Sequence, residues 1–104
     1  MQLASARRKQ PEIDAAVAEA VKELAPSVHH IRWEIGEDWS GDGALFLRIV
    51  LSDDATQGKR LGKTTRRVSA LLLEKLEPLN LDLLVYPSFR SRSEQTSIRD
   101  KAWA

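Results

Sequence analysis

The sequence predicts an α+β fold, an α-β-β-α-β two-layer sandwich with two helices on one face of a three-stranded, mainly antiparallel sheet. Three observations predict it. Apolar residues recur at helical spacing over about residues 11–25 and again from Lys59 to Pro78. They alternate along SVHHIRWEIG and ALFLRIVLS, and LDLLVY is a third short β-prone run. Proline-containing or Gly- and Asp-rich stretches separate these segments.

In chain order, MQLASARRKQ (residues 1–10) reads as an N-terminal arm, with no apolar core behind its charges to make a signal peptide. Pro11 suits a first helical turn, and Glu12 and Asp14 suit its positive end. Ile13, Val17, Ala20, Val21 and Leu24 share one face, and Pro26 ends the helix. On the first strand Ile31, Trp33 and Ile35 point one way, and His30, Arg32 and Glu34 the other. The loop DWSGDG turns the chain into the second strand, with Leu45, Leu47, Ile49 and Leu51 inward and Phe46, Arg48 and Val50 outward.

Leu61, Thr65, Val68, Leu72 and Leu76 line the inner side of the second helix, which Pro78 stops. Pro87 ends the third strand, and residues 88–104 form a polar, basic tail in which Ser93 can cap a short helix through Ile98. The third strand runs antiparallel to the first, and pairing beside it gives the order 3-1-2. Val17, Ile31, Trp33, Leu47, Ile49, Val68 and Leu72 are the expected core. Residues 88–92 are expected to be ordered by the domain itself, and the last ten or so by a second chain.

With 104 residues the chain fits a single domain spanning 1–104. Cysteine is absent, which excludes disulfides, thiolate metal sites and cysteine nucleophiles and fits a reducing compartment. No apolar run approaches the roughly 20 residues of a membrane helix, so the expectation is a soluble cytoplasmic protein. Net charge is +1, so any nucleic-acid role must come from a local patch.

DWSGDG places oxygen-bearing side chains like the first half of a calcium loop. The twelfth position, where an EF-hand needs a bidentate glutamate, is Ile49, and strands flank the loop. A turn is the better physical reading, with Gly41 and Gly43 supplying positive φ. A turn needs no indole, so Trp39 either folds back over the hairpin or is an exposed anchor. Asp53 and Asp54 are adjacent and point apart, unlike the alternating carboxylates of a two-metal site. His29 and His30 likewise face opposite sides of a strand. There is no GxSxG elbow, and GKRLGK is not a phosphate cradle. The expectation is no enzyme, no metal and no cofactor.

Charge carries more information. Lys59, Arg60, Lys63, Arg66 and Arg67 crowd the start of the second helix, where the dipole disfavours cations. They form either a solvated face or a surface for RNA or an acidic protein. Phe46 and Val50 on the outer sheet face, with Phe89 and Trp103 in the tail, join Trp39 as candidate partner contacts.

GEDWSGDGALFLRIVLSDDA, the basic helix, YPSFRSRSEQ and the closing RDKAWA resemble a group of small, poorly characterised bacterial proteins. The shared features are a D-W-x-G-D hairpin, a strand ending in an acidic pair and an F-x-S-x-S-E tail, spanning most of residues 28–104. The resemblance implies a companion of a HEPN-type protein in a toxin–antitoxin-like pair, and it implies no catalytic residues. The sequence therefore predicts a non-catalytic interaction module that binds a protein partner or itself. The alternative is a KH-like RNA-binding domain using the basic helix, against which stands the missing GxxG clamp.

Overall fold

The computed structural model describes residues 3–104. Its elements are α1 (Leu3–Arg7), α2 (Gln10–Leu24), β1 (Val28–Glu37), β2 (Gly43–Leu51), α3 (Arg60–Leu76), β3 (Leu84–Ser91) and α4 (Arg92–Ile98). Short 3-10 turns occupy Asp54–Thr56, Glu77–Leu79 and Lys101–Trp103. The class is α+β, as expected. Part of the N-terminal arm is helical: Ala6 of α1 is buried, and Lys9 Nζ donates to the Leu79 carbonyl at 2.6 Å.

The predicted strand order 3-1-2 is corrected to 1-2-3. β2 is central, antiparallel to β1 and parallel to β3, so the sheet is mixed rather than mainly antiparallel. The direction expected for the third strand holds, but its neighbour does not. The reason lies in β2 itself. Ala44, Leu45, Leu47, Ile49, Val50 and Leu51 are all buried, and a strand apolar on both faces loses most water-exposed surface at the centre. β1 alternates apolar with charged or polar side chains and suits an edge.

β3 also continues through Pro87, where the sequence placed its end, and starts later than LDLLVY suggests. An edge strand tolerates proline when the missing N–H faces outward.

The register aligns Ile31, Trp33 and Ile35 with Ile49, Leu47 and Leu45, while Val85, Pro87 and Phe89 flank Leu45, Leu47 and Ile49 on the other side. These make the helix-facing layer. Ile13, Val17, Ala20 and Leu24 of α2 and Val68, Leu72 and Leu76 of α3 close over it. Of the predicted core, Val17, Leu47, Ile49, Val68 and Leu72 are buried, whereas Ile31 and Trp33 are only partly so. They lie on an edge strand, and the Trp33 indole N–H donates to Asp14 at 2.9 Å. Lys75 pairs with Glu19 at 2.6 Å and with Glu23, linking α3 to α2.

The tail departs most from expectation. Ser91, not Ser93, caps α4: its hydroxyl accepts from Glu94 N at 3.1 Å, and the Glu94 carboxylate accepts from Ser91 N at 3.0 Å. This reciprocal box satisfies two backbone donors at once. Arg99, at φ 55°, reverses the chain, and Asp100 caps the closing turn through Ala102 N at 3.0 Å. That turn lies against β1 and β2. Trp103 is 7% exposed, its carbonyl accepts from His30 Nε2 at 2.6 Å, and the Arg90 guanidinium sits 4.3 Å over its ring. The last residues thus dock on their own sheet, and the expectation that a second chain orders them is corrected. Docked beside His30, the register partner of Val50, the indole removes more apolar surface from water than a free tail could.

Candidate interaction surface

The hairpin tip is built around Asp38. One carboxylate oxygen accepts from Ser40 N at 2.9 Å, Ser40 Oγ at 2.7 Å and Asp42 N at 3.0 Å. The other accepts from the Tyr86 hydroxyl at 2.7 Å. These bonds, the Ser40 hydroxyl first and Tyr86 second, lower the Asp38 pKa to about 2, because a carboxylate held by several donors resists protonation. Gly41 at φ 87° supplies the left-handed step that closes the turn. Every oxygen of the carboxylate that opens the calcium-like pattern is therefore engaged within the protein.

Trp39 resolves the alternative left by the sequence. It is 94% exposed and does not fold back over the hairpin. The loop that carries it is fastened to the next strand but one, since Tyr86 lies on β3 and its ring stacks on Phe46 of β2 at 5.7 Å. Phe46 is half-buried, and Arg48 pairs with Glu34 at 3.1 Å in the next row of the same face.

The other candidate contacts lie elsewhere. Val50 and Trp103 are buried, so neither is free to meet a partner in this structure. Phe89 is partly buried on the helix-facing side, packed against the core. What remains accessible is Trp39, with Phe46 behind it at the hairpin end of the sheet.

The acidic pair at the end of β2 has a structural use. Asp53 accepts from the Ser93 backbone N–H at 2.9 Å and the Ser93 hydroxyl at 2.5 Å. The Ser93 hydroxyl first, and the Arg92 charge least, lower the Asp53 pKa. Asp54 pairs with Arg60 at 2.6 Å, and Arg90 pairs with Asp100 at 3.4 Å. Arg90 therefore turns to the tail's own aspartate. The bonds that Tyr86, Ser91 and Ser93 make were not foreseen from the sequence. The S-x-x-E spacing from Ser91 was a readable signal for the cap; the Asp38–Tyr86 and Asp53–Ser93 bonds depend on strand order.

Lys59, Arg60, Lys63, Arg66 and Arg67 are all exposed at the end of the molecule opposite Trp39. Near the hairpin, an open groove of about 760 Å³ runs between the end of α3 and the start of β3. Leu73, Leu76, Leu81, Leu83 and Val85 line it, with Asp42, Glu77 and Asp82 as its charged members. Leu73 and Leu84, both part of its lining, are each about half exposed. Such a surface offers apolar contact and acidic groups. No helix among the described residues is long and apolar enough to cross a membrane. Compared with models of protein families, with curated proteins and with solved structures, the chain matches none.

Proposed function

We propose that this chain is a non-catalytic protein-interaction module, the antitoxin-like member of a bacterial two-protein system, working in the cytoplasm. The observation that carries the reading is Trp39: a fully presented indole on a loop whose shape is fixed by Asp38 and Tyr86. Exposing an indole forgoes burial that a hairpin could provide, whereas a preorganised aromatic anchor supplies contact area at little entropic cost. The absence of cysteine fits a reducing compartment.

The test is co-expression with the product of the adjacent gene, followed by capture. The wild type is expected to retain that protein, and Trp39→Ala to weaken retention by ~30-fold, as for an interface hot spot. No retention by the wild type, or equal retention by both, refutes the reading. A second reading, RNA binding of KH-like type, is supported by the five exposed cations at the start of α3. Tight, sequence-selective RNA binding at physiological salt, lost in Lys63→Glu/Arg67→Glu, would place that reading first.

A further inference from the structure

α3 carries a stripe that nothing in the fold covers. Lys63, Arg66, Ala70, Leu73 and the C-cap Glu77, which keeps helical backbone angles, are spaced three and four residues apart, so they fall along one side of the helix, and all five are exposed. Leu73 is 50% exposed. This is the spacing by which one helix packs along another. The core seam of Val68, Leu72 and Leu76 already lies elsewhere on the helix, and Lys75 points to α2.

The charges along the stripe are segregated. The first half is basic, and the second half holds Glu74 and Glu77. None of Lys63, Arg66, Glu74 and Glu77 has an ion-pair partner among the described residues. Both groups also oppose the helix dipole, which favours acids at the start and bases at the end. Neither placement helps the isolated helix.

The pattern is self-complementary in one orientation. Lys63 and Glu77 lie seven residues either side of Ala70, and Arg66 and Glu74 lie four either side. We infer that α3 packs antiparallel on the α3 of a second copy about a two-fold axis at Ala70. Lys63 then faces Glu77, and Arg66 faces Glu74, of the other copy; the symmetry makes each contact twice. A parallel pairing sets base on base. The small Ala70 side chain at the crossing allows the axes to approach to about 8 Å, and Leu73 loses its exposure to water. A nucleic acid laid along the same stripe meets repulsion from its acidic half.

This names the self-contact of the interaction module proposed above and rests on that reading, but on a different surface from Trp39. Sedimentation velocity on the full chain, at low ionic strength and rising protein concentration, tests it. The wild type is expected to form dimers that weaken as salt is added, since exposed pairs are screened within about 8 Å at physiological ionic strength. Lys63→Glu/Arg66→Glu and Glu74→Lys/Glu77→Lys should each weaken the dimer at least ~10-fold. Mixed together, the two variants should form a heterodimer, and all four changes in one chain should restore the homodimer. Each exchange improves the match to the helix dipole, so circular dichroism should show helices at least as stable as before. A protein that stays monomeric, a dimer indifferent to both exchanges, or open-ended growth with concentration overturns the pairing. Capture of the neighbouring protein through Trp39 by such a monomer leaves the reading above standing.

Discussion

Asp38 holds the hairpin tip together with one side chain, and its cost of protonation makes that role measurable. Its pKa is about 2 in the fold, against about 3.9 for an unperturbed aspartate. A depressed carboxylate contributes stability that is fully present above the unfolded pKa and lost as pH falls through the folded one. Urea unfolding of wild type and Asp38→Asn should therefore show a gap near pH 6 that closes between about pH 4 and pH 2. A gap independent of pH would remove the carboxylate from the account. The same bond pushes the Tyr86 hydroxyl up, so the contact between β3 and the tip stays neutral-to-anion across the ordinary range. Trp39 was visible in the sequence as a residue the turn did not need, but its orientation was not, because that depends on where Tyr86 lies.

The C-terminal segment shows what a local pattern does and does not convey. Ser91 and Glu94 have the spacing of a capping box, and Phe89, Ile98 and Trp103 looked like anchors because they interrupt a polar run. The inference that Trp103 serves as an anchor needs its own address, which is the far face of the sheet. Arg99 turns the chain through a left-handed residue, and nothing short of the fold predicts that a non-glycine will do so. Trp103→Ala should destabilise the protein by about 3 kcal/mol, as for a buried aromatic, and Ser91→Ala by about 1 kcal/mol. Thermal and urea unfolding measure both. A Trp103→Ala loss below about 0.5 kcal/mol, the ordinary surface range, would mean the tail lies loosely on the sheet. Val50 is buried and pairs with His30, whose ring bonds the Trp103 carbonyl, so losing the indole is also expected to open apolar surface beside it.

At the scale of the molecule, two helical periods and two alternating strands were enough to read the class, the helix-facing side of the sheet and most of the core. Strand order was not readable from direction alone, because a third strand running antiparallel to β1 fits beside β1 or, parallel, beside β2. What decides it is the demand of β2 for cover on every side: GALFLRIVL offers one charge in nine residues, whereas β1 carries His29, His30, Arg32, Glu34 and Glu37. Burying β2 at an edge leaves more apolar surface in water than burying β1 there. That choice has a kinetic signature. In the 1-2-3 order, the β2 amides have a strand on each side and open only with the whole sheet, while β1 and β3 each keep a free edge. Amide hydrogen exchange should therefore be slowest along Ala44–Leu51, with outward-facing amides of β1 exchanging early. If β1 instead carried the slowest amides, the sheet would be centred on the first strand, and the bonds from Tyr86 to Asp38 and from Ser93 to Asp53 could not both form as described.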